Sequence, residues 1–115
     1  MDDRDVKNRE EKALAEFQKA VTLDPTSAIA HAGLAEGFSS LAVIRSGANG
    51  IENYAKAKAA AEKALTLDKN LSEGFEIRGW LKRNADWDLS GAETDLRLAI
   101  QLKPDFALAH YRLSQ

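Results

Sequence analysis

The 115-residue sequence contains no cysteine, only two prolines and only two histidines. Without cysteine, disulfides and thiolate metal sites are excluded, although this absence does not fix the compartment. No apolar run approaches the roughly 20 residues that are needed to span a bilayer, so we expect no membrane insertion. The first twelve residues are acidic and lack an apolar core. We therefore expect no signal peptide and favour a cytoplasmic location.

The sequence also lacks an excess of positive charge. Its net charge is −2, so no basic field attracts nucleic acid, and we do not expect it as a partner. Hydrophobic residues make up 44% and charged residues 30%, proportions typical of a folded globular domain rather than a disordered chain. The length is sufficient for one domain with a continuous core.

What the chain has in abundance is alanine at helical spacing, in a skeleton that occurs three times. Each copy has a small residue, an apolar residue four positions later, alanine three positions after that, and a break five positions beyond. The copies are Ala13, Phe17, Ala20 and Pro25; Ala57, Ala61, Ala64 and Lys69; and Ala92, Leu96, Ala99 and Pro104. Their first residues lie 44 and 35 positions apart. We expect the alanines of the second copy to face neighbouring helices.

A period near 34 with this alanine, aromatic and proline pattern resembles the tetratricopeptide repeat. The phrases YAKAKAAAEKALTLDKNLSEG and DWDLSGAETDLRLAIQLKPDFALAHYRLS are also similar to a bacterial subgroup found in multidomain signalling and regulatory proteins. The resemblance implies an all-α solenoid of six antiparallel helices, truncated at both ends. It further implies a non-enzymatic protein–protein interaction scaffold, part of a larger bacterial signalling or regulatory protein. The alternative is a structural spacer or oligomerisation element without a peptide ligand.

The helix signals divide this single domain into half a repeat, two whole repeats and another half. Residues 5–25 form the second helix of a first repeat, 26–69 a second repeat, 70–104 a third, and 105–115 the first helix of a fourth. Two glycines and two asparagines in residues 45–53 predict an inserted loop. This loop accounts for most of the extra residues between the first two copies, either as a functional insertion or as a tolerated spacer.

Side chains at the predicted turns suggest helix caps. Thr26 or Ser27 is expected to cap the second helix, and Asn70 or Ser72 the fourth. The turn Asp86-Trp87-Asp88 has two interpretations: a cation site, or a turn in which Trp87 is an anchor and Asp88 caps the fifth helix.

No group of residues predicts catalysis, a cofactor or a metal. His31 and His110 occupy equivalent places in two repeats, which favours packing over chemistry, and no nucleophile–histidine–acid set is evident. The glycines of residues 46–50 lack the Lys-Ser/Thr of a phosphate loop. Arg78 and Lys82 fall at apolar positions of the pattern, so their stems are expected to lie on apolar surface while their heads reach water or a carboxylate.

The resemblance implies a concave groove, lined by the first helix of each repeat, that holds extended or helical peptides. The polar stripes of the second and fourth helices supply its candidate residues: Ile29, Glu36, Ser40, Glu73, Glu76, Trp80, Arg83 and Asn84. Trp80 is either a binding hot spot or packed against a neighbouring helix or the missing remainder of a parent protein. The carboxylates of the stripe predict that the groove rejects acidic C-terminal tails of the chaperone type. Uncovered apolar residues at the two ends predict self-association.

Overall fold

A computed structural model describes residues 3–44 and 48–115, and these residues form six α-helices and no strand. The all-α class and the number of helices predicted from the sequence are confirmed. Within this described part of the chain, no helix combines the length and the apolar character that crossing a bilayer requires. The helices are α1 (Asp3–Leu23), α2 (Ala28–Ile44), α3 (Ala48–Leu67), α4 (Ser72–Asn84), α5 (Leu89–Leu102) and α6 (Ala107–Leu113).

The helices pack in two layers. Each helix contacts the next one along the chain, and in addition α2 contacts α4 and α4 contacts α6. Helices α2, α4 and α6 therefore lie side by side in one layer, while α1, α3 and α5 each pack against members of this layer. The exposed surface of the first layer is called the α2–α4–α6 face below.

Small residues allow the layers to approach closely. Ala57, Ala61 and Ala64 are completely buried, which confirms the expectation that they face neighbouring helices. Gly79 allows α4 to approach α5, because a Cβ at this position would lie 3.0 Å from the Leu96 side chain and 3.1 Å from a backbone oxygen of α5. The core is thus built from short contacts between backbones as much as from large side chains.

The predicted loop at residues 45–53 differs from the structure. Residues 45–47 lie outside the described part, but residues 48–53 belong to α3. Within these residues Gly50 is buried, and Glu52 pairs at 3.2 Å with Lys56 on the next turn of α3. Tyr54, which directly follows them, packs against the core. Packing against α2 thus outweighs the low helix propensity of glycine and asparagine. Since α2 and α3 are four and six residues longer than α4 and α5, the extra residues lengthen a helical hairpin.

The turns correct two further expectations. Helix α4 starts with Leu71 at its N-cap position and no side-chain cap, so neither Asn70 nor Ser72 has the predicted role. Trp87 does not anchor its turn: its side chain is 83% exposed, and its φ of 57° lies in the left-handed region. Asp88 does cap α5, accepting a hydrogen bond from the backbone N–H of Gly91 at 2.9 Å.

Two junctions between repeats share one hydrogen bond. The Nε2 of His31 lies 2.9 Å from the carbonyl oxygen of Pro25, and that of His110 lies 2.7 Å from the carbonyl oxygen of Pro104. In both cases six residues separate the partners, so the equivalence seen in the sequence corresponds to the same contact. The histidines thus fasten the end of one repeat to the start of the next.

The basic residues at apolar positions of α4 reach a buried carboxylate. Asp95 on α5 is 1% exposed. It accepts hydrogen bonds from Nε and Nη2 of Arg78 at 2.9 and 3.0 Å, and Lys82 Nζ lies 2.9 Å from it. The hydrogen bond with Asp95 raises the pKa of Arg78. These contacts explain both basic residues, because together they offset the burial of Asp95.

Candidate functional site

Two pockets open on the α2–α4–α6 face. The larger, here called the apolar pocket, measures about 330 Å³ and is mainly lined by apolar atoms from α1, α2, α4 and the start of α6. Its apolar walls include Phe17, Ile29, Ile77, Phe106 and Leu108. Several of these side chains are accessible: Phe17 is 36% exposed, Ile29 53% and Leu108 39%. Accessible apolar side chains grouped in a concavity are typical of binding surfaces.

The apolar pocket also contains three carboxylates. Glu36 on α2 and both Glu73 and Glu76 on α4 line it, and none of its described lining residues is basic. Glu73 is partly exposed and accepts a hydrogen bond from the Ser72 hydroxyl at 2.6 Å. Glu76, in contrast, is only 3% exposed. The pocket therefore combines apolar walls with negative charge.

The second pocket, here called the tryptophan pocket, lies beside the first and shares Glu36 and Ile77 with it. It measures about 270 Å³ and includes Trp80, Ser40 and Arg112. The Trp80 ring is tilted by 33° against the Tyr54 ring, with 6.2 Å between their centroids. The guanidinium carbon of Arg112, on the neighbouring helix α6, lies 5.5 Å from the centroid of the Trp80 ring.

Arg112 connects α6 to the acidic residues of α2 and α4. Its Nη1 lies 2.5 Å from Glu76 Oε1, and its Nη2 lies 3.4 Å from Glu36 Oε1. The contact with Glu76 is an ion pair: among the described residues neither of its two atoms has a hydrogen-bond partner. Because the Arg112 side chain is only 13% exposed, this pair is held in a largely dry environment.

The environment of Glu76 shifts its protonation. Burial raises the pKa of Glu76 from 4.5 to about 7, although the positive charge of Arg112 acts in the opposite direction. The neighbouring carboxylates Glu36 and Glu73 raise this pKa further. The fold therefore favours the neutral carboxyl of Glu76 more strongly than the unfolded chain does.

A second arginine holds the end of α6. Arg83 donates hydrogen bonds from Nη1 to the Arg112 carbonyl at 3.3 Å and from Nη2 to the Gln115 carbonyl at 2.8 Å. Only Ala109 is buried in this seven-residue helix. Polar contacts from two arginines thus contribute much of what holds α6 in place.

Comparison with known proteins identifies the architecture. Residues 50–71 match the family model described as tetratricopeptide repeat. No curated protein matches the chain. Among solved structures, the first TPR of Spaghetti (RPAP3) bound to the HSP90 peptide SRMEEVD superposes with a TM-score of 0.70 at 20% identity, covering 93% of this chain and 76% of that one. The chain has a tetratricopeptide-repeat fold.

Two other TPR structures are similar to the same extent. The Arabidopsis OM64 TPR domain has a TM-score of 0.70 at 21% identity, covering 93% of this chain and 79% of that one. The second TPR domain of human RPAP3, in complex with the HSP70 peptide SGPTIEEVD, has a TM-score of 0.68 at 21% identity, covering 97% and 89%. At these identities, the similarity establishes the fold.

Six of the eight predicted groove residues line the two pockets of this TPR fold. Ile29, Glu73 and Glu76 lie in the apolar pocket, Ser40 and Trp80 in the tryptophan pocket, and Glu36 in both. Trp80 is half-buried against Tyr54 and Arg112 yet still borders a pocket, so it has features of both interpretations.

The other two predicted residues lie elsewhere. Arg83 lines neither of the two pockets and binds the carbonyls at the end of α6. Asn84 is exposed, and its Nδ2 donates to the Trp80 carbonyl of its own helix at 2.9 Å. The helical stripe continues to these positions, but the pockets end before the last turn of α4.

Sequence reasoning missed Arg112 and the apolar walls Phe17, Phe106 and Leu108. The signal for Arg112 was present, because it lies eight residues after Pro104, as Gly33 lies eight after Pro25. Gly33 also lines the apolar pocket, and a Cβ at this position would overlap the Phe17 ring. Aligning the repeats on their prolines would therefore have placed Arg112 on the α2–α4–α6 face.

Groups that suggest metal chemistry are absent from the described residues. No three histidine or acidic side chains come together there in a way that could hold a metal ion. Asp86 pairs with Lys58 at 2.9 Å and Asp88 caps α5, so each carboxylate of the Trp87 turn has its own structural partner.

Proposed function

We propose that this TPR domain is a non-enzymatic protein–protein interaction module that binds a peptide or protein segment on its α2–α4–α6 face. The observation that supports this function is the apolar pocket, where accessible side chains from α1, α2 and α6 surround one concavity. Burial of such side chains by a partner is the main favourable contribution to protein association. We further propose that the module belongs to a larger bacterial signalling or regulatory protein.

The solved TPR neighbours support peptide binding in general, but this chain has a different pocket lining from the one that an acidic ligand requires. Two of them bind peptides that end in the acidic sequence EEVD. In this chain the apolar pocket contains three carboxylates and no basic residue among those described. An acidic tail would be repelled there, so the ligand of this module belongs to another class.

The test is an array of diverse peptides, probed with the wild-type chain and with Ile29→Asp. Ile29 is 53% exposed on the wall of the apolar pocket, so the change places a charge there without disturbing the core. Ile51→Asp is the matched control, since Ile51 is 72% exposed on α3. We expect Ile29→Asp to lose at least about tenfold in affinity, which is about 1.4 kcal/mol, and Ile51→Asp to bind like wild type.

The alternative, a structural spacer without a peptide ligand, predicts that no peptide binds this face. If no peptide binds, or if every selected peptide binds Ile29→Asp and wild type equally, then the α2–α4–α6 face is not the binding site. Circular dichroism of both variants verifies that each is folded.

Self-association is a second candidate function. At the α5–α6 end, Leu102 is 42% exposed and Tyr111 62%, and Ile100 and Leu113 border a further pocket. Exposed apolar side chains that are grouped on one surface favour association with another copy. Sedimentation at increasing protein concentration should show a dimer that Tyr111→Asp weakens, whereas a monomer at all concentrations contradicts the proposal.

A further inference from the structure

We infer that the apolar pocket recognises a basic side chain, lysine or arginine, that is flanked by apolar residues in the bound peptide. This inference rests on the proposed function and specifies its ligand. The first step is charge complementarity. Three carboxylates line the pocket, and no basic residue lines it among those described. A cation is the charge that such a site attracts.

Glu76 is the buried member of the three carboxylates in the pocket lining. Its side chain is 4% exposed, and its Oε1 accepts no hydrogen bond within the described structure, although it is ion-paired with Arg112. This buried oxygen faces Arg112 and is not available to a ligand. The carboxylates that a ligand can reach in the pocket are those of Glu36 and Glu73.

Arg112 demonstrates that these carboxylates can hold a guanidinium. Its charge lies between Glu76 and Glu36 and against the Trp80 ring. It cannot balance the whole cluster, since its contact with Glu36 is 3.4 Å long and the Glu36 side chain remains 44% exposed. Among the residues that the structure describes, Glu73 has only the neutral Ser72 hydroxyl as a hydrogen-bond partner. Whether Glu76 is neutral or ionised, Glu36 and Glu73 leave the pocket negative.

The apolar walls select among cations. A lysine or arginine has a hydrocarbon stem that can lie along Phe17 and Phe106 while its charged head reaches Glu36 or Glu73. The remaining apolar surface, including Ile29 and Leu108, accommodates a neighbouring apolar residue. A small hydrated cation would leave these walls uncovered. The site thus suits a peptide that combines both features.

The probes are three fluorescein-labelled dodecapeptide pools with the same randomised flanks. Their central residues are Leu-Lys-Leu, Leu-Gln-Leu or Leu-Glu-Leu. Fluorescence anisotropy is expected to show the lysine pool binding about tenfold more tightly than the glutamine pool, and the glutamate pool most weakly. The preference should decrease between about 0.01 M and about 1 M salt, because the Debye length falls from about 30 Å to about 3 Å.

Variants assign the preference to the pocket. The double change Glu36→Gln with Glu73→Gln removes two accessible carboxylates and should abolish the preference for lysine. Glu93→Gln, which removes an exposed carboxylate on α5, is the matched control and should retain it. If the double variant keeps the preference, the assignment to these carboxylates is overturned.

The two proposals fail in different ways. Equal binding of all three pools, each weakened by Ile29→Asp, would overturn the inference about the basic side chain but support the face as a binding site. Binding that Ile29→Asp leaves unchanged, or no binding of any pool, would overturn the proposed function as well.

Discussion

The buried carboxylate of Glu76 links the stability of the domain to pH. Glu76 is 3% exposed, and burial raises its pKa from 4.5 to about 7. The neutral carboxyl is therefore favoured in the folded chain over a pH range where the unfolded chain is already ionised. Glu76→Gln replaces the carboxyl by an amide of similar shape that stays neutral at every pH. We expect this substitution to remove the pH dependence that Glu76 causes.

The sign and the magnitude follow from the two pKa values. Between pH 4.5 and about 7 the folded protein binds more protons at Glu76 than the unfolded chain, so stability falls as pH rises. This favourable contribution is fully present below pH 4.5 and is lost as pH rises through about 7. At about 1.4 kcal/mol for each tenfold change in protonation, the loss amounts to about 3 kcal/mol.

Urea denaturation, followed by circular dichroism, measures the effect. The free energy of unfolding of Glu76→Gln minus that of wild type should increase by about 3 kcal/mol between pH 4.5 and pH 8. Taking the difference between two proteins cancels the titration of groups that do not interact with Glu76. Glu93→Gln is the control, because Glu93 forms an exposed ion pair with Arg97 whose contribution is about 1 kcal/mol at most.

Two results would refute this reasoning. If the difference between Glu76→Gln and wild type is the same at pH 4.5 and pH 8, burial does not shift the protonation of Glu76. If Glu76→Gln becomes less stable relative to wild type as pH rises, the ionised form is the one that the fold prefers, and Arg112 outweighs burial.

Two further substitutions test the packing. Ala61→Glu should cost several kcal/mol, because it overpacks a completely buried site and buries a charge, whereas Ala59→Glu on the exposed side of α3 should change the melting temperature little. Asp95→Asn should cost about 3–5 kcal/mol in urea denaturation, since it leaves Arg78 and Lys82 without their buried partner. Asp86→Asn, which breaks an exposed pair, serves as its control, and equal costs for the two would contradict the role of burial.

The repeats were predictable because their small residues recur at the spacing that packed helices require. Ala57, Ala61 and Ala64 were recognisable from the pattern and are completely buried. Local reasoning was wrong where contacts between distant residues decide. Residues 48–53 have loop-forming composition, yet packing makes them helical. Trp87 suggested an anchor, yet it is exposed.

The candidate site was predictable to the extent that it follows single helices. The stripes on α2 and α4 identified Glu36, Glu73, Glu76 and Trp80, which line the pockets. The repeat alignment could have placed Arg112 on this face, but its partner could not be predicted, because Arg112 meets Glu36 across 76 residues of sequence. A periodic pattern describes which side of a helix a residue occupies, whereas the partner of that residue depends on how the helices are arranged.

The attachment of α6, in which Ala109 is the only buried residue, has a consequence for affinity. Phe106 and Leu108 form part of the apolar pocket, so the pocket is complete only while α6 is docked. The observed dissociation constant then equals the intrinsic one divided by the fraction of molecules with α6 in place. Because this coupling is reciprocal, a ligand that fills the pocket also shifts α6 towards its docked position. Changes at Arg83, which lines neither of the two pockets, are thereby expected to tune binding through the population of the competent state.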